Sequence, residues 1–94
     1  MFVIRNTFTA RPGSAGKLAS QLKDAVTAFQ MPNVRVMTDV TGEFNTVIME
    51  FTAESLDEVE KRMQETIGSQ MYRERMSGYT ELWLTGNRQI LRVL

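Results

Sequence analysis

At 94 residues the chain has room for one domain with a modest core; a chain of this size buries only about 60–65% of the surface its unfolded form exposes. Eleven Lys and Arg offset eleven Asp and Glu, with no basic run, which argues against a nucleic-acid partner. The absence of Cys and His removes disulfides, thiolate chemistry, histidine-based triads and the usual proximal haem ligand, so neither a metal nor a cofactor is expected.

MFVIRNTFTA (1–10) alternates and is rich in β-branched and aromatic residues, the pattern of a first strand. Arg11-Pro12-Gly13-Ser14 breaks it, and Ser14 can cap the helix that follows. There Leu18, Leu22, Val26 and Phe29 form one apolar stripe, with Lys17, Gln21, Lys23 and Asp24 outside it. Met31-Pro32-Asn33 stops the helix. VRVMTDV (34–40) and EFNTVIMEFT (43–52) alternate again around Thr41-Gly42, predicting a hairpin. Ser55-Leu56-Asp57-Glu58 matches a capping box, and Leu56, Val59, Met63 and Ile67 recur at helical spacing. Gly68-Ser69 kinks or splits this helix, whose apolar side continues through Met71, Tyr72 and Met76 to Gly78. YTELWLT (79–85) predicts a fourth strand. Gly86-Asn87 then reads as a hairpin turn leading to a short fifth strand or arm, RQILRVL (88–94), or as a bulge in one long strand. No leader or apolar run of membrane-spanning length stands out, so residence in the cytoplasm and no membrane partner are expected.

The order β-α-β-β-α-β predicts an α+β, ferredoxin-like antiparallel sheet with both helices on one face. By alternation the covered face carries Phe2, Ile4, Phe8, Val34, Val36, Val40, Val47, Met49, Phe51, Leu82 and Leu84. The uncovered face carries Val3, Arg5, Thr7, Arg35, Met37, Asp39, Phe44, Thr46, Ile48, Glu50, Tyr79, Glu81 and Trp83. Left open, that face exposes more apolar surface than a soluble monomer usually tolerates. A second copy packed sheet to sheet is the simplest cover. Val3, Arg5, Arg35, Met37, Phe44, Ile48, Glu50, Tyr79 and Trp83 are the interface this predicts, with Arg5 and Arg35 pairing Asp39, Glu50 and Glu81 across it.

Asn6 interrupts the apolar row Phe2, Ile4, Phe8. A buried amide without partners costs on the order of 1–3 kcal/mol, so either the protein or a ligand must satisfy it. Seven methionines, with Met63, Ile67, Met71, Tyr72 and Met76 at helical spacing, read either as core filling or as an adaptable pocket wall.

In this order, with the Pro12-Gly13 turn and Leu18 after it, nearly the whole chain resembles the dimeric α+β barrel superfamily of antibiotic-biosynthesis-monooxygenase-like and NIPSNAP-like proteins. The resemblance implies a barrel of two facing sheets, with a small-molecule cavity in each subunit between sheet and helices. Asn6, Phe8, Met63, Ile67 and Tyr72 are then the candidate ligand-binding residues. The haem-degrading branch has an asparagine in its first strand that Asn6 matches, but it also uses a histidine on its second helix, and this chain has none. The expected function is therefore binding of a small apolar or aromatic molecule by a homodimer. The alternatives are a cofactor-independent monooxygenase acting on a phenolic or polyketide-like aromatic, and a structural domain with no ligand.

Overall fold

The computed structural model describes residues 1–94. In chain order, strand β1 (Phe2–Ala10), helix α1 (Ala15–Ala28), strands β2 (Arg35–Thr38) and β3 (Thr46–Ala53), helices α2 (Leu56–Ile67) and α3 (Gln70–Arg75), and a 3-10 turn, Tyr79–Glu81, lead to strand β4 (Trp83–Arg92). The strands form one antiparallel sheet in the order β2-β3-β1-β4, the ferredoxin-like arrangement. No helix is long and apolar enough to cross a membrane.

The helices cover one face through two separate core clusters. Leu18, Leu22 and Ala25 of α1 pack with Ala10, Val47 and Met76. Val59 of α2 packs with Ile4, Phe51 and Ala53. Along β1 the covered side therefore runs Ile4, Asn6, Phe8, Ala10, with one cluster at each end. Asn6 stands between them, opposite Met49 on β3. The amide that breaks the apolar row marks a break in the core.

Local signals place most boundaries. Ser55 accepts the Glu58 backbone N–H at 3.1 Å, and the Glu58 carboxylate accepts from Glu54 N at 2.9 Å. The helix divides at Gly68: Ser69 caps α3 by accepting from Tyr72 N at 3.1 Å. Ser14 stands at the N-cap of α1, but its side chain makes no capping hydrogen bond; its carbonyl accepts from Leu18 N instead.

Several expectations are corrected. The second strand ends at Thr38, because the Asp39 carboxylate folds back to accept from Thr46 N at 2.9 Å and closes the connection. Val40 is left 95% exposed in that connection rather than buried. Phe44 lies in the turn before β3 at 85% exposed, not on a strand facing a partner, and Asn45 beside it takes a φ of 63°.

The last strand starts later than expected, and of the two readings of Gly86-Asn87 the one long strand holds. Tyr79 and Glu81 lie in the 3-10 turn, which Gly78 enters with a φ of 76°. β4 passes straight through Gly86-Asn87 to Arg92, so there is no hairpin and no fifth strand. Its pairing with β1 slips by one residue: Thr9 faces Thr85, whereas Ala10 faces Trp83. A one-residue slip flips every side chain beyond it. Leu84 is accordingly 53% exposed, and Trp83 packs on the covered side.

Candidate functional site

The gap between the two clusters is a cavity of about 330 Å³, at the lower end of the range for small-molecule sites. Its floor is Asn6 and Phe8 of β1 with Met49 and Phe51 of β3. Arg62, Met63, Thr66 and Ile67 of α2 and Tyr72 and Met76 from the α3 segment form one wall. Tyr79, Trp83, Gly86, Asn87 and Arg88 form the other, with Leu22 and Met31 beside them. All five candidate ligand-binding residues, Asn6, Phe8, Met63, Ile67 and Tyr72, border this space. Tyr79 and Trp83, expected on the outer face, border it as well, because the late start of β4 and its slipped register turn them inward.

The partner of Asn6 is Arg88. Position 88 faces position 6 across the β1–β4 ladder, and Arg88 Nε donates to Asn6 Oδ1 at 2.6 Å. Its Nη1 points at Met63 Sδ, 3.2 Å away, a weak acceptor. None of the four ion pairs in the chain includes Arg88. Arg62, the other lining arginine, is paired through Nη2 with Glu58 at 2.8 Å and lies 5.5 Å above the Phe51 ring. Its Nη1 and the Trp83 Nε1 are buried donors with no protein partner. Leaving such a group unsatisfied costs about 1–3 kcal/mol.

The aromatic wall is continuous. Phe8 and Trp83 lie 5.4 Å apart, Trp83 and Tyr79 6.3 Å, and Tyr79 and Tyr72 6.5 Å edge to face. The Tyr72 hydroxyl donates to that of Tyr79 at 3.4 Å. Burial, then that hydrogen bond, pushes the Tyr72 phenol up to about 12, so it stays protonated near neutral pH. Gly86 sits against this wall; a Cβ there would meet Phe8 Cδ1 at 3.2 Å and Trp83 Cζ3 at 3.5 Å. The lining is thus apolar and rich in donors, and it holds no Asp, Glu, Lys or His.

Arg62 and Arg88 escaped the sequence reading. Arg62 stands among Glu60, Lys61 and Glu65, a mixed run of charges of the kind that usually marks a solvated helix face. Arg88 enters the site only when the last segment is one strand in register with β1; glycine inside a strand, a mark of close approach, was the signal for that at Gly86.

The outer face of the sheet has no helix over it. Val3, Met37 and Ile48 lie there, each part-covered by its neighbours, around a charged trio. Glu50 is 6% exposed because two guanidiniums lie over it: Arg5 Nε donates to Oε2 at 2.8 Å, and Arg35 Nη2 donates to Oε1. The hydrogen bond from Arg35, then that from Arg5, holds the Glu50 carboxyl below its ordinary value. The pairs expected across an interface are therefore made within the chain, and Asp39 and Glu81 take no part in them.

No family model and no curated protein matches this sequence. Solved structures do match its shape. A NIPSNAP family protein from Agrobacterium tumefaciens aligns over 99% of this chain and 85% of its own, at 18% identity and a TM-score of 0.87. An uncharacterised NIPSNAP domain protein from Burkholderia xenovorans aligns over 100% and 95%, at 11% identity and a TM-score of 0.84. A protein from Chloroflexus aurantiacus, provisionally described as an antibiotic biosynthesis monooxygenase, aligns over 98% and 92%, at 13% identity and a TM-score of 0.70. The likeness is one of fold: the chain has the α+β, ferredoxin-like fold of these NIPSNAP and antibiotic-biosynthesis-monooxygenase-like proteins.

Proposed function

We propose that residues 1–94 act as one domain of the dimeric α+β barrel kind, which binds a small ring-bearing molecule in the cavity beside Asn6 and pairs with a second copy through the outer face of its sheet. The observation that carries the ligand reading is the interrupted core. Two apolar clusters stop short of each other, and the space between them is walled by aromatic rings with Asn6, Asn87 and Arg88 as polar residues among them. An apolar wall with a few placed polar groups is the usual make-up of a small-molecule site. The dimer reading is supported by the uncovered sheet, where Val3, Met37 and Ile48 surround two arginines and a glutamate already paired with one another within the chain.

Binding is favoured over turnover. A cofactor-independent oxygenase must draw a proton from its substrate, and no carboxylate, imidazole or amine lines the cavity. A purely structural role gives no account of a cavity of about 330 Å³ left in so small a core.

Trp83, the only tryptophan, supplies the test. Titration with 2-naphthalenemethanol is expected to shift the single indole N–H resonance saturably. No shift with this alcohol or with 2-naphthoate, at the solubility limit of each, would sink the ligand reading. Sedimentation equilibrium at low micromolar concentration is expected to return twice the chain mass; a monomer would sink the dimer.

A further inference from the structure

We propose that the molecule taken up here is an anion: a small aromatic or alicyclic monocarboxylate, whose carboxylate becomes the counter-charge of Arg88. This inference rests on the ligand-binding reading above and names its ligand class.

The charge inventory of the cavity points one way. Two guanidiniums border it and no acidic side chain does. Arg62 already has Glu58 as its counter-charge, but Arg88 has only a neutral amide and a thioether. The Tyr72 phenol adds no negative charge near neutral pH. A cationic ligand would meet like charge with nothing to offset it, whereas a carboxylate would complete the only unpaired charge at the site.

Arg88 is also held for the task. An arginine that serves only solubility needs no buried amide at its Nε. Asn6 is 6% exposed and fixes that nitrogen at 2.6 Å, which leaves Nη2 without a protein partner and Nη1 on a weak sulfur acceptor. Both outer nitrogens keep N–H groups to offer, and the guanidinium edge matches the two oxygens of a carboxylate. A phenol is uncharged near neutral pH and offers one oxygen, so it answers the site less well. A phosphate dianion brings twice the charge that Arg88 alone can offset. The ring belongs to the rest of the lining, which is hydrophobic at 11 of its 17 residues and carries the Phe8–Trp83–Tyr79 wall. A volume of about 330 Å³ limits the molecule to one or two rings.

Isothermal titration with three probes of one shape tests this: 2-naphthoate, 2-naphthalenemethanol and 2-naphthylmethylammonium, near neutral pH. The carboxylate is expected to bind at least about tenfold more tightly than the alcohol, and the ammonium more weakly than either. In Arg88→Gln the carboxylate-to-alcohol ratio should fall to within about threefold, and Arg88→Lys should restore part of it. Arg35→Gln, on the opposite face, should leave the ratio where it was. Equal binding of carboxylate and alcohol overturns the inference and leaves the ligand-binding reading standing, as does a ratio that survives in a folded Arg88→Gln. If no probe binds, both fall.

Discussion

Arg5 and Asn6 are neighbours on one strand, yet they serve two opposite kinds of site. Arg5 faces the outer side of the sheet, where it and Arg35 enclose Glu50, and every charge there has its partner within the chain. Asn6 faces the helices, where it holds an arginine that has no carboxylate at all. The strand alternates, so two polar residues in succession must belong to different faces. The outer trio gives each guanidinium a carboxylate oxygen within the chain, although two arginines share one glutamate and leave one net positive charge. The inner pair is open and short of one negative charge, which suits a surface that meets a ligand.

The largest effect should come from closing the open site. Asn6→Asp would place a carboxylate where the amide oxygen now meets Arg88, making the inner pair resemble the outer trio. It is expected to remove the preference for 2-naphthoate over the alcohol, a loss of about tenfold or more, while urea melts show the fold no less stable. Retained preference in this variant would mean that the charge of Arg88 is not what the ligand meets. Next comes space rather than charge. Gly86→Val would push the Phe8 and Trp83 rings into the cavity, since even a Cβ there lies 3.2 Å from Phe8. Naphthoate and alcohol should both weaken, by about tenfold, with their ratio kept.

Opening the closed site should do less. Glu50→Gln leaves Arg5 and Arg35 facing a neutral amide. Both arginines are well exposed, at 39% and 68% of their side chains, so the loss in a urea melt should be about 1 kcal/mol or less. The same variant sharpens the pH dependence. Because the folded Glu50 carboxyl is held below its ordinary value, it contributes stability above the ordinary carboxylate range and loses it as the pH falls through the lowered value. Acid unfolding of Glu50→Gln should therefore show a shallower fall through that window than the parent chain. A separate effect is expected at alkaline pH. With the Tyr72 phenol raised to about 12, stability should decline from near pH 10, where the unfolded phenol ionises first, and Tyr72→Phe should flatten that decline.

The fold was legible because its signals are local. Alternation in residues 1–10, the Ser55–Glu58 capping pattern and the helical stripe of Leu18 and Leu22 each act within a few residues, and their order selects the sheet. Half of the site was legible too: the anomaly at Asn6 and the α2 stripe of Met63 and Ile67 point to the cavity from two of its sides. The other half depends on register, which is decided by pairing between residues some eighty positions apart. A single slip opposite Ala10 turns Trp83 inward, and only the continuous run of β4 brings Arg88 to Asn6. Gly86-Asn87 fits a turn and a strand equally well by its own preferences; packing of Gly86 against the Phe8 ring settles it as strand. Val40 and Phe44 fail for a related reason. Alternation continues in the sequence past the point where Asp39 folds back and ends the strand.

A crystal structure of the chain with 2-naphthoate tests the central claim most directly, because it shows which of the two faces of β1 receives a negative charge. The expected result is the naphthalene ring against Phe8, Trp83 and Tyr79, with the carboxylate in hydrogen-bond contact with Arg88. Carboxylate density on Arg5 or Arg35 instead, or an empty cavity at saturating probe, would contradict it.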